Sequence, residues 1–154
     1  QEAKQMGRAF LSVKGYHNLK DSYYEVLDNV ATINYATEQN GYIVYPDLIK
    51  VKVAMDTGEV LGVETTGYIM NHKSRTMQEV KISEEEARSK VSPALQVESV
   101  SLAVIPTEGG SEIECYEMRG KADERNFLVY INTQTGLEEK ILLLLESESG
   151  VLSM

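Results

Sequence analysis

The stretch Val53–Glu64, VAMDTGEVLGVE, decides how the chain is read. Two runs of alternating apolar residues meet at a polar-Thr-Gly turn, the pattern of two antiparallel strands joined by a hairpin whose glycine takes a positive φ. Residues 130–141, YINTQTGLEEKI, repeat the arrangement, and Gly136 stands 78 positions after Gly58 in a chain of 154. These are either two ordinary turns or one module used twice. What surrounds them decides between the two.

Before the first turn, Glu2–Val13 puts Ala3, Met6, Phe10 and Val13 on one helical face, and Gly15 stops the helix. Residues 22–55, SYYEVLDNVATINYATEQNGYIVYPDLIKVKVAM, are rich in Tyr, Val, Ile and Thr and read as strands cut at Asp28-Asn29, Asn40-Gly41 and Pro46. Ile49, Val51, Val53 and Met55 alternate with Lys50, Lys52 and Ala54, a sheet with one wet face. The polar run NHKSRTMQEV, 71–80, has no period and reads as a linker. The pattern then restarts. Ser83 is a helix N-cap with Glu86 three residues on, a capping box, and Glu84 and Glu85 fill a first turn that favours negative charge. Ser92-Pro93 keeps this helix short. Val100, Leu102 and Val104 alternate, a less regular run follows from Glu112 to Arg119, and Phe127, Val129 and Ile131 lead into the second Thr-Gly turn. The expected class is therefore α+β: two tandem modules, each a helix followed by an antiparallel β-meander of about four strands. Module 1 spans 1–70, the linker 71–80 and module 2 81–154.

Composition narrows the function classes. A hydrophobic fraction of 42% with 25% charged residues is that of a globular chain. The longest apolar run, Ile141–Leu145, is far short of the roughly 20 residues a membrane helix needs, so no membrane contact by this stretch is expected. The net charge of −9, concentrated after residue 80, and the absence of a Lys/Arg cluster argue against nucleic acid and for a basic partner surface. The chain starts at Gln1 inside a helical pattern, so it reads as a fragment whose leader or anchor would lie elsewhere, while ESESGVLSM reads as a natural end.

No residue is given a catalytic, cofactor or metal role. Glu84-Glu85-Glu86 point in different directions on a helix and are explained by capping, and Glu112, Glu114 and Glu117 read as a solvated sheet face. Cys115 is single and expected to be buried; His17 and His72 form no ligand spacing. Asp56-Thr57-Gly58 invites comparison with a shared-proton carboxylate dyad, but the second copy carries Gln134 and cannot supply the partner. Nine Tyr, seven of them within residues 1–68, suit either an interaction face or a half-buried sheet. If Ile141–Leu145 is a strand, both faces are apolar and need cover from the neighbouring module, a homodimer mate or a partner.

ISEEEARSKV (82–91), the strand Cys115-Tyr116-Glu117-Met118 and the turn LVYINTQTG (128–136) resemble the PepSY family, whose modules carry an I-S-x-E-x-A helix start, a Y-E-V-like strand and a final pair of strands around D-x-x-T-G-E-V-L. The first half resembles it through Tyr24-Glu25-Val26 and DTGEVLGVE, with its helix start mostly missing before Gln1. The second copy departs at Asn132, Gln134 and Leu137-Glu138. In tandem order the modules are similar to PepSY-containing spore germination proteins of endospore-forming bacteria. That resemblance implies a non-enzymatic role without cofactors: sheet edges or Tyr-bearing faces that bind, stabilise or regulate a spore cortex-lytic hydrolase, in the extracytoplasmic inner-membrane and cortex region of the spore. The alternatives it leaves are a protease-inhibitory, chaperone-like propeptide fragment and a ligand-binding domain with a site between the modules.

Overall fold

The computed structural model describes residues 1–147 and 150–153, with side chains placed as far as Leu145. Of the ending ESESGVLSM, Glu148, Ser149 and Met154 lie outside the described residues. The chain is α+β and divides into two compact units. The first comprises Gln1–Gln39, Val44–Ser74 and Glu146–Leu152; the second comprises Asn40–Ile43 and Arg75–Leu145 with Ser153.

The first unit holds α1 (Glu2–Val13), β1 (Leu19–Leu27), β2 (Val30–Gln39), β3 (Tyr42–Ala54) from Val44 onward, β4 (Val60–Glu64) and the short α2 (Thr66–Asn71). All its strand pairs for which a register is defined are antiparallel, in the spatial order β1-β2-β3-β4. The turns Asp28-Asn29 and Asn40-Gly41 carry φ of 50° and 63°, and 50° and 81°, the left-handed pair that a two-residue hairpin needs. Pro46 does not cut the chain as expected: β3 runs through it from Tyr42 to Ala54. A proline removes only one donor, and its carbonyl still accepts a bond, from Asn71 Nδ2 at 3.1 Å. Leu11 of α1, Ala31, Ile33 and Tyr35 of β2, and Ile49, Val51 and Val53 of β3 form the core. Met55, expected to continue that series inward, lies at the hairpin and is exposed. Lys4 and Arg8, one helical turn apart, both reach Asp21 of β1, at 3.0 and 2.8 Å, and tie α1 across the sheet.

The second unit holds α3 (Glu84–Lys90), β5 (Gln96–Pro106), β6 (Glu112–Ala122), β7 (Arg125–Asn132) and β8 (Glu138–Ser147), a plain antiparallel meander. Ser83 caps α3 by accepting the Glu86 N–H at 3.1 Å, and the helix ends at Val91 before Ser92-Pro93. Ala87 and Val91 pack on Tyr116, Met118, Val129 and Ile131. Along β8 the double-faced cover expected for Ile141–Leu145 is not complete. Leu144 is buried, but Ile141 and Leu145 are exposed. The last strand, β9 (Gly150–Ser153), is no loose tail: Gly150 and Val151 pair antiparallel with Glu25 and Tyr24 of β1.

Candidate functional site

The two Thr-Gly hairpins match bond for bond. Gly58 N–H reaches Ala54 O at 2.8 Å and Ala54 N–H reaches Glu59 O at 2.8 Å; in the second copy Gly136 N–H reaches Asn132 O at 2.9 Å and Asn132 N–H reaches Leu137 O at 2.8 Å. The glycines have φ of 73° and 74°. Thr57 and Thr135 each accept, at 3.2 Å, the N–H two residues on. Even the bulge recurs. Register slips between the pairs Lys52↔Gly62 and Val53↔Val60, leaving Leu61 over, and between Tyr130↔Lys140 and Ile131↔Glu138, leaving Glu139 over. Asp56 accepts its neighbour's N–H at 2.9 Å, and Gln134 donates to Glu79 O at 2.9 Å. Neither side chain is poised for chemistry; both shape the turns.

The tyrosines likewise serve the fold. Tyr35, Tyr42, Tyr116 and Tyr130 are buried, and Tyr16, Tyr23, Tyr24, Tyr45 and Tyr68 are half-buried. Tyr35 and Tyr116 do the same work in their units. Each hydroxyl donates at 2.6 Å to a main-chain carbonyl at the start of the overlying helix, Lys4 O and Ile82 O. The counterpart of Tyr116 is thus Tyr35 on β2, not Tyr24 on β1, because the helix rides over the second strand of each meander. Burial, with a smaller contribution from Asp21, pushes the Tyr35 hydroxyl up to about 12, so it stays a donor.

The acidic residues of β6 are not a solvated face. Glu112 takes Arg75 through two bonds, Nε to Oε1 at 2.8 Å and Nη2 to Oε2 at 2.9 Å, the bidentate fork that fixes geometry as well as charge. Glu114 accepts the Gln78 N–H at 2.9 Å, and Glu117 accepts the Tyr130 hydroxyl at 2.6 Å. Much of the connecting segment is therefore laid along β6. Cys115 is fully buried, and burial, with Glu139 and Glu114 adding to it, pushes the thiol up to about 12. It has no thiolate to offer as a nucleophile at neutral pH.

One polar constellation escaped the sequence. Asp47 on β3 is fully buried; its Oδ2 accepts Thr37 Oγ1 at 3.2 Å and lies 2.7 Å from Nδ1 of His72 at the end of α2. His72 stacks on Tyr68, centroids 4.2 Å apart, and Tyr68 meets Tyr16 edge-on at 5.0 Å. Burial raises the Tyr68 hydroxyl, with Tyr16 and Asp47 contributing. The signal was present: Asp47 continues the inward series Ile49, Val51 and Val53 two residues back, and a carboxylate at an inward position needs partners. The cluster fastens α2 to β3 and holds no nucleophile. His17 is exposed in the turn after α1. Among the described residues no three His, Cys, Asp or Glu gather in a metal-binding arrangement, and no helix is long and apolar enough to cross a membrane.

What is left open is a strand. β4 lies at the end of its sheet, paired among the described residues to β3 alone, and it meets a hollow of about 550 Å³ between Phe10 and Leu11 of α1, Lys14 just past the end of α1, and Val60–Val63. Leu61 and Val63 are 53% and 38% exposed there.

A helix laid on an antiparallel meander and repeated hairpin geometry define a protein of the PepSY class. The chain belongs to the YpeB sporulation family: residues 1–78 match the model of the YpeB sporulation PepSY1 and PepSY2 domains. It is 36% identical over 142 residues to the sporulation protein YpeB of Bacillus subtilis, covering 91% of the chain and 32% of that protein. To that of Halalkalibacterium halodurans it is 32% identical over 147 residues, covering 96% and 33%. The chain thus spans about a third of the length of the curated relatives it matches. Among solved structures it is similar to the Bacillus megaterium YpeB C-terminal domain, with a TM-score of 0.86 and 27% identity over 94% of this chain and 65% of that one.

Proposed function

We propose that the chain is a non-enzymatic binding part of a spore germination protein, that its two units are PepSY modules, and that it holds and protects a cortex-lytic hydrolase in the extracytoplasmic region of the spore. The observation that carries this reading is the family match over residues 1–78, together with the likeness to the YpeB C-terminal domain along nearly the whole chain. The chemistry of the chain agrees with it. Its one thiol is buried and protonated, its turn carboxylate is an N–H acceptor, and its buried Asp–His pair is spent on fastening a helix.

The test is protection in a purified system. The chain and a cortex-lytic hydrolase of the same organism are mixed at equal concentration, and survival of the hydrolase against trypsin is followed by gel and by residual lytic activity. The expected outcome is a several-fold longer half-life of the hydrolase. No change in that half-life, or lytic or peptidase activity of the chain alone, would overturn the proposal.

A further inference from the structure

We infer that the outer edge of β4 is a strand acceptor, which takes an extended apolar segment of another protein that carries a carboxylate toward Lys14. This rests on the reading of the chain as a binding protein and names the surface that would do the binding.

The inference comes from comparing two hairpins that share one geometry. After the matched turns and bulge, β8 begins Glu138-Glu139-Lys140, whereas β4 reads Val60-Leu61-Gly62-Val63. Exposed strand edges offer a row of backbone donors and acceptors to any passing strand, and proteins commonly blunt them with charge, proline or cover. β4 has no charged residue or proline between Glu59 and Glu64, and in the middle it places Gly62, which carries no side chain to cover the strand and has no atom within 4 Å of where a Cβ would stand. An added strand would gain main-chain bonds from the edge and apolar contact from Leu61, Val63 and the Phe10 flank of the hollow, the two halves of recognition by strand addition.

Charge decides which strand. Among the described residues Lys14 is the one charged residue lining the hollow, so a segment with Asp or Glu at that point is favoured. A second copy of β4 is disfavoured. Antiparallel self-pairing centred between Leu61 and Gly62 would set Glu59 against Glu64 on both sides, and like charges directly opposite destabilise a pair.

The experiment is a selection from a phage-displayed library of random twelve-residue linear peptides on the folded chain, followed by titration of the enriched peptides as synthetic, labelled ligands. Enriched peptides should alternate apolar and polar residues and carry an acidic one. Their affinity should fall at least tenfold when alternate peptide amides are N-methylated, and at least tenfold in Leu61→Lys or Val63→Lys, which write a charge onto the edge at exposed positions and should leave the melting curve in place. Lys14→Gln should weaken them several-fold. No enrichment, or peptides whose binding survives both N-methylation and Leu61→Lys, overturns the inference. So does sedimentation of the wild type as a dimer that Leu61→Lys converts to monomer, since the edge would then belong to a second copy. The hydrolase assay separates the two proposals: protection retained by Leu61→Lys overturns the edge alone, and peptide binding without any hydrolase protection supports the edge while overturning the hydrolase as its partner.

Discussion

A single methyl group added at Gly7 probes how α1 sits on its sheet. A Cβ there would stand 2.6 Å from the Tyr35 hydroxyl oxygen and 3.3 Å from two ring carbons. Tyr35 is fully buried, and its hydroxyl is held by Lys4 O at 2.6 Å, so the ring has nowhere to swing. Overpacking of this kind costs about 1–3 kcal/mol, against about 1 kcal/mol that alanine gains over glycine inside a helix. Gly7→Ala should therefore fail to stabilise the chain and should cost up to about 2 kcal/mol, where helix propensity alone would have stabilised it. At 2 kcal/mol the midpoint of melting drops by roughly 4–8 °C for a chain of this size. Tyr35→Phe on its own should cost about 1 kcal/mol for the lost hydrogen bond. The double variant carries the reasoning. Without the oxygen, the added methyl meets only ring carbons at 3.3 Å, so Gly7→Ala with Tyr35→Phe should be about 1–2 kcal/mol more stable than the sum of the single changes predicts. Urea titration followed by circular dichroism measures all three. Additivity within about 0.5 kcal/mol would show that the methyl and the hydroxyl do not meet and would refute the packing described for α1.

Gly120→Ala in β6 should be costlier, about 2–4 kcal/mol, because its Cβ would meet the backbone oxygen of Gln96 at 2.6 Å and the backbone cannot yield as a side-chain tip can; thermal melting checks the order of the two variants. Ser83→Ala should remove about 1 kcal/mol with the α3 cap, measured by urea titration. Cys115 should resist a thiol-specific disulfide reagent at pH 8 in the native state and react at once in urea, and fast native labelling would contradict its burial. At Asp21 burial pushes upward, but the hydrogen bond and charge of Lys4, with Arg8 behind them, win and hold the carboxyl below its usual range. With the folded pKa below the unfolded one, its contribution is present above about pH 4 and is lost as pH falls through the folded value. Asp21→Asn should accordingly flatten the fall in stability between pH 5 and pH 2 relative to wild type, as followed by urea midpoints.

Much of the fold was legible because local signals and packing agree. The alternation of Ile49, Val51 and Val53 marks the face that β3 buries, and the Ser83 cap marks where α3 starts. The spacing of Ala3, Met6, Phe10 and Val13 marks a helix but not its buried face: Ala3 and Phe10 pack on the core, Met6 and Val13 are exposed, and α1 buries Gly7 and Leu11, because close approach to Tyr35 selects a glycine there. The misses have physical causes. Pro46 looked like a break because its missing N–H was weighed and its surviving carbonyl was not. The β6–β7 turn is built by Asp123 and Glu124 at φ of 50° and 63°, residues that do not advertise a left-handed backbone as Asn40-Gly41 does. α2 was invisible because it buries none of its own residues; distant Asp47 and Pro46 hold it instead. The roles of Glu112 and Glu114 depended on where Arg75 and Gln78 come to lie, and a linear reading has no access to such pairings. The open edge of β4 was half legible: its apolar sequence was plain, but only the strand order showed that none of the described residues pairs with its far side.

The pairing of Gly150 and Val151 with β1 bears on the order in which the chain can fold. β1 leaves the ribosome ahead of the strand that joins it, which emerges only after the whole of Arg75–Leu145 has been made. The loop to be closed is more than a hundred residues long, so this pairing forms late, while α1, α2 and β1–β4 can assemble from neighbours in the chain. The first unit thus stays incomplete until Gly150 and Val151 have emerged, and until then β1 carries a position that this late strand fills.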